Sequence, residues 1–512
     1  MSDLLQTSVL VAFALGITIY LGKKRRRLPY PPGPKGYPII GNLLDIPKGF
    51  QWITYTEWAK KYGDIVYINV LGAHLVIINS EEIADELVER RSRNYSDRPD
   101  IAVMHMNGWQ VNMGLKHYGN EWRRDRRVLH QRFRREAAST LHPLELAKSR
   151  ALLQNVLRNP KDFEGHFKLY PSAIMFYLLY GHQVESMEDP LVNLTFKTIY
   201  LFSGSVFPGT NIINVFPALR HLPKWTPVLK DVHDLCAKNR YLLGKMQSIP
   251  FDSAQDTAVQ SWVSELLEKN AVKGEEIVPE AVIKALGAST FAAAMETMLA
   301  YMMTYVLAMI HFPEAQKRAQ AEIDEVIGNE RLPNFEDRAS LPYVEALFRE
   351  IFRWHGPAPL GVPHSTVEDD IYKGYLIPKG SIIITNQWAM WRDERVYPEA
   401  DNFRPERFLN SNGGLIDRFP PNFGFGRRAC VGKSMADASI WIALVSMLSV
   451  FHITKAKDAS GNDVEVPELF GDGIVSQPLP FECSITARHE AAKQLVIDNP
   501  PMKLDSNPMF FD

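Results

Sequence analysis

Phe423-Gly424-Phe425-Gly426-Arg427-Arg428-Ala429-Cys430-Val431-Gly432 places a single cysteine between glycines, next to two arginines and just before a helical pattern that starts near Lys433. Such surroundings favour a thiolate, because backbone N–H groups, an adjacent helix N-terminus and nearby cations all stabilise the charged sulfur. Gly426 and Gly432 let the backbone pass close to a flat ligand. Without that setting a lone cysteine is most simply a small buried hydrophobe. The other cysteines, Cys236 and Cys483, lie far away in the chain, and three in all fit neither a secreted disulfide framework nor zinc-ligand spacing. Cys430 is left to act as a nucleophile or as the ligand of a cofactor.

Upstream, residues 285–310 form an apolar run whose only charge is Glu296. The run is long enough to imitate a membrane span, but its central acid argues for a buried helix crossing a large domain. An isolated buried acid is costly unless it has a task or a partner. It stands in Ala293-Ala294-Met295-Glu296-Thr297. Glu350-Ile-Phe-Arg353 sets an acid and a base one turn apart, ordinarily a weak surface pair. Phe403-Arg404-Pro405-Glu406-Arg407-Phe408 follows it. Trp122 and Arg126 lie one turn apart on a basic segment, and His364 ends Pro359-Leu-Gly-Val-Pro-His364.

In this order, these segments resemble the cytochrome P450 family, whose cysteine loop F-x-x-G-x-R-x-C-x-G is matched by Phe423, Gly426, Arg428, Cys430 and Gly432. The resemblance implies a mainly α fold with small β-sheets (α+β), a single large haem domain behind an N-terminal transmembrane helix. It implies haem b (iron protoporphyrin IX) with Cys430 as axial thiolate, a ligand that pushes electron density onto iron and favours O–O cleavage. Phe423 would pack near the sulfur and Gly426 would let the backbone approach the ring. Trp122, Arg126, Arg428 and His364 would hold the propionates, for which a planar guanidinium is well shaped. Glu350, Arg353 and Arg407 would form a structural triad supporting the cysteine loop. Glu296 and Thr297 would be the catalytic pair that organises proton delivery. Ala294 departs from the family's usual glycine, and Met298 from a common second threonine.

The implied activity is insertion of one oxygen atom from dioxygen into a lipophilic small molecule, with electrons from NADPH through an NADPH-cytochrome reductase, or cytochrome b5 beside it. Cavity walls are expected from residues 104–109, 291–294, 359–362 and 473–476. The wording PLGVPH, GYLIPKGS and FGFGRRACVGKSMAD is most similar to fungal microsomal members of the sterigmatocystin-oxidoreductase type, which implies a secondary metabolite such as a terpenoid or polyketide intermediate. Two rivals are a reductase-independent haem-thiolate isomerase or dehydratase, and a non-catalytic haem-binding membrane protein; the Glu296–Thr297 pair speaks against both.

A formal charge of −2 gives no global basic field and argues against nucleic acid as a partner. Arg123, Arg124, Arg127, Arg427 and Lys433 nevertheless cluster beside the cysteine-loop and Trp122 motifs and could dock an acidic reductase. At the N-terminus, residues 4–22 carry no charge and suffice to span a bilayer, and Lys23 to Arg27 follow at once. Positive charge after rather than before the apolar run predicts a single-pass anchor in the endoplasmic reticulum membrane with the rest of the chain cytosolic. The expected organisation is 1–27 anchor and basic stop, 28–42 Pro-rich hinge, 43–490 haem domain and 491–512 tail. Strands are expected over residues 71–79, with a hairpin over 374–386 about Ile377-Pro378-Lys379-Gly380.

Overall fold

Apolar residues around its whole circumference make Glu280–His311 a helix that only the middle of a protein can hold. Its 32 residues run about 48 Å at 1.5 Å per residue. It ends at Phe312 because the residue before a proline disfavours helical backbone, and Pro313 then opens the next helix. This helix and Lys433–Val450 are each apolar and long enough to cross a membrane, yet most of both lies buried inside the protein. The run at 285–310 is thus a core helix, as expected.

The computed structural model describes residues 28–206, 212–223, 225–273 and 277–502; the expected anchor lies outside them. In chain order the long helices are α1 Asn120–Phe133, α2 His142–Arg158, α3 Phe163–Tyr180, α4 Pro190–Val206, α5 Pro227–Gln255, α6 Glu280–His311, α7 Pro313–Val326, α8 Pro342–Trp354, α9 Lys433–Val450 and α10 Glu490–Asp498. Around α6 pack α3, α5, α8 and α9, and α9 also lies on α2. The largest core cluster is shared among these helices. The expected tail begins with a packed element: Ala492 and Val496 of α10 are buried, and the helix rests on α2.

A four-stranded sheet stands beside the helices in the order β1-β2-β6-β3. Strands β1 (Ile65–Val70) and β2 (Ala73–Ile78) are antiparallel around Leu71-Gly72, both at positive φ, the turn geometry whose twist suits a hairpin. The strand expected over 71–79 therefore begins two residues later. Strand β6 (Ile382–Thr385) runs parallel to β2, with Leu75 opposite Ile382, and pairs on its other side with β3 (His364–Ser365). The hinge is bonded to the sheets: Pro32 O accepts from Tyr67 N, Pro29 O accepts from Leu376 N, and Tyr30 stacks on Tyr67 at 4.5 Å.

The expected hairpin over 374–386 is corrected. The hairpin is instead β4 (Asp370–Tyr372) with β5 (Tyr375–Ile377), turning at Lys373-Gly374, while β6 leaves for the larger sheet. Pro378 has no N–H for a ladder. The hydroxyls of Thr366 and Ser381 both donate to its carbonyl and fix the crossing between sheets.

Candidate functional site

The cysteine segment is closed on itself by a bond from Cys430 N to Phe423 O at 2.7 Å, around the short turn Gly426–Arg428. Gly426 sits at φ 61°, and any side chain there would meet Val88 O at 2.3 Å, so the position needs glycine. Burial pushes the Cys430 thiol up, opposed by the Gly432 N–H and by the charges of Arg126 and Lys433. Its side chain is nonetheless accessible. Depth and accessibility together put the sulfur on the wall of an internal space.

Helix α6 supplies a second wall. Tyr301, buried and stacked on Phe352 at 3.8 Å, lies close enough to feel the charge of Cys430. Thr297 and Ala293 stand one and two turns back on that face. Ala293 is exposed although Phe291 and Met295 beside it are buried, so α6 borders the same kind of space. Thr297 Oγ1 donates to Ala293 O at 2.8 Å. Glu296 has no hydrogen-bond or ion-pair partner among the described residues, and burial pushes its carboxyl up to about 7. Ala294 packs against the main core cluster.

A third group is cationic. Arg428 is buried, reaches Ser96 O and Lys116 O at 2.7 Å each, and lies 4.4 Å over the Trp122 ring. Arg98, not foreseen from sequence, donates to Gly114 O, Val362 O and Pro363 O. His364 Nδ1 pairs with Tyr95 O at 2.8 Å. Arg126 has no hydrogen bond or ion pair among the described residues, and the buried Trp122 Nε1 has no partner. Burial lowers all three arginines, Arg428 to about 10, and they repel one another: Arg428 acts on Arg98, and Arg126 on Arg428. Buried cations without a carboxylate are expensive. A ligand bearing carboxylates would relieve them, which is how haem propionates fit this chain.

Beneath the loop, Arg353 grips Glu350 through two bonds of 2.7 and 2.8 Å, and Arg407 Nε reaches the same carboxylate at 3.2 Å. Arg353 also donates to Trp391 O and Ala400 O, and Arg407 to Pro398 O and Asn402 O. Glu350 and Arg353 are fully buried, so the pair that looks like a surface contact in sequence is a core clamp.

Beyond Ala292 an apolar cluster holds Met104, Met106 and Trp109 together with Ile474. Phe202, Cys236 and Leu243 from α4 and α5 complete it, residues that sequence reasoning missed because nothing in their spacing departs from an ordinary amphipathic helix. Trp109 stacks on Phe202 at 4.2 Å and its indole N–H donates to Asn239 Oδ1 at 2.9 Å. Of the other expected wall residues, Phe291 packs against Phe176 in the core and Leu360 against the sheet. A surface groove of about 700 Å³ between α2 and α3 is lined by none of these residues.

A family model described as Cytochrome P450 matches residues 31–485. Among curated relatives, Cytochrome P450 monooxygenase 208 of Postia placenta is 38% identical, covering 94% of this chain and 95% of the relative. Cytochrome P450 monooxygenase ple1 of Rhodocybe pseudopiperita is 35% identical over 94% of each chain. Cytochrome P450 monooxygenase claR of Ampulloclitocybe clavipes is 36% identical, covering 94% of this chain and 91% of the relative.

Proposed function

The chain belongs to the cytochrome P450 family of monooxygenases, and on that premise we propose that it inserts one oxygen atom from dioxygen into a lipophilic secondary metabolite, using electrons passed from NADPH by a flavin reductase. The observation that carries the reading is Cys430, deep yet accessible on a wall shared with the Ala293–Thr297–Tyr301 face of α6. Haem, when bound, supplies the activation of dioxygen.

The chain's own residues have distinct tasks. Cys430 is the thiolate ligand, steadied by Gly432 N–H, Arg126 and Lys433. Trp122, Arg126, Arg428 and His364 hold the propionates, and the structure adds Arg98 to that set. Gly426 keeps the loop tight against Val88, and Phe423 flanks the sulfur. Glu296, held near 7, exchanges protons readily at neutral pH, as a relay group must. Thr297 gives its own proton to Ala293 O and so offers an oxygen that accepts from water in the cavity. The Met104–Trp109–Ile474 cluster orients an apolar substrate.

Exposed Arg123, Arg127, Arg427 and Lys433 form the docking face for the reductase. Arg124 is instead engaged by Asp125. Exposed Tyr37, Ile39 and Leu44, close after the anchor in sequence, suit a domain held against the endoplasmic reticulum membrane on its cytosolic side. The likeness in wording to sterigmatocystin-oxidoreductase-type enzymes supports a terpenoid or polyketide intermediate as substrate.

The carbon monoxide difference spectrum of the reduced protein tests the centre of this reading. A strongly red-shifted Soret band that disappears in Cys430→Ser is expected. A band indifferent to that change would remove Cys430 as the ligand and the proposal with it.

A further inference from the structure

The chain leaves α8 through His355, which is 3% exposed, and later returns as a narrow loop, Leu469 to Leu479, bridged at Phe470 and Pro478. The tip of that loop carries Ile474 into the apolar cluster of Met104 and Trp109. Two contacts tie its base to the end of α8. Ser476 N donates to Pro357 O at 2.8 Å, and His355 Nε2 meets Ser476 Oγ at 2.8 Å. The imidazole also lies flat on Phe470, ring centres 3.4 Å apart.

Proton accounting fixes the direction of the second contact. A serine hydroxyl has one proton, and Ser476 gives it to Gly471 O at 2.7 Å. His355 Nε2 must therefore carry hydrogen and donate to Ser476 Oγ. The result is a chain from His355 through Ser476 to Gly471, spanning the base of the loop with both side chains buried. Neither residue belongs to the apolar cluster; Ile474 does.

We propose that His355 and Ser476 form a latch that fixes Ile474 on the wall of the substrate cavity, making His355 a positioning residue for substrate selection. The proposal rests on the monooxygenase reading above. A latched tip presents a preformed wall to a ligand that fills the cavity and is irrelevant to one that does not.

Spectral titration of the holoenzyme with imidazole, a small iron ligand, and with clotrimazole, a bulky one, separates these cases. His355→Phe keeps a ring on Phe470 but loses the donor; His355→Gln keeps a donor but loses the ring. His355→Phe and Ser476→Ala are each expected to weaken clotrimazole about fivefold, the worth of one ordinary hydrogen bond, with imidazole unchanged. His355→Gln should restore most of the loss. Hydrogen exchange at the Ser476 amide should quicken in the first two variants and not in the third. A clotrimazole-to-imidazole ratio that is unchanged, or shifted toward clotrimazole, overturns the latch, as does equal weakening of both. Absence of any imidazole-induced shift in the unsubstituted protein would instead strike down the haem reading on which the latch depends.

Discussion

Thr297 has one hydroxyl proton, and the helix takes it through Ala293 O, so what the residue offers the cavity is an acceptor. Losing that acceptor should disturb proton delivery rather than substrate capture. Thr297→Ala is expected to lower product formed per NADPH about tenfold or more, a modest value for a group engaged in proton transfer, while peroxide release rises. Thr297→Ser should stay close to the unsubstituted enzyme, and fully coupled turnover by the alanine variant would contradict the assigned role. Glu145 shows the opposite use of an acid. It is fully buried between α2 and α9, accepts from Ser439 Oγ at 2.6 Å, and leaves Oε2 without a partner among the described residues. Burial pushes it up to about 8, with Asp437 adding to the rise. Between about 4.5 and 8 the folded chain keeps a proton that the unfolded chain releases, so the stability it contributes is greatest below that window and falls as pH rises through it. Urea denaturation at pH 6 and pH 8.5 should show a smaller alkaline loss in Glu145→Gln; an identical loss would mean that Glu145 does not titrate there.

At the scale of the element, α8 holds the cysteine loop's foundation in one turn. Glu350→Gln leaves Arg353 buried without its charge partner and weakens the contact to Arg407. It should cost about 3–5 kcal/mol, as breaking a buried ion pair does. The measurable outcome is a lower unfolding midpoint with reduced haem retention; a stable, fully loaded variant would count against the clamp. Helices α6, α8 and α9 could be read from sequence because proline starts and apolar periodicity are local signals, legible without knowing the partner. Partners were the unreadable part. Nothing between residues 374 and 386 says that β5 pairs backward while β6 pairs with a strand near residue 75. Site residues divide the same way. Those in motifs were named in advance, whereas Arg98, in Asp97-Arg98-Pro99, has no periodic or paired neighbour to mark it, and its importance comes from carbonyls at 114, 362 and 363.

Across the whole molecule the charge nearly balances, so long-range attraction must come from where the charges stand. Exposed Arg123, Arg127, Arg427 and Lys433 surround the approach to the cysteine loop from the side opposite α6 in sequence terms, on α1 and at the start of α9. Reversing all four to glutamate should slow reductase-driven turnover about tenfold at low salt, with the difference shrinking as salt rises. Peroxide-supported turnover, which bypasses the reductase, should be unaffected. Equal turnover with the reductase would place its docking face elsewhere.

The parallel pairing of β2 with β6 also sets a timetable for biosynthesis. The edge of β2 that will receive β6 leaves the ribosome roughly 300 residues before its partner does, an interval of about 15–60 s at ordinary rates of synthesis. Throughout that wait Leu75 to Ile78 present an unpaired apolar edge, the kind of surface that recruits wrong strands. The nascent chain therefore has its greatest need of a chaperone while its first hairpin is already made and its last third is still unwritten.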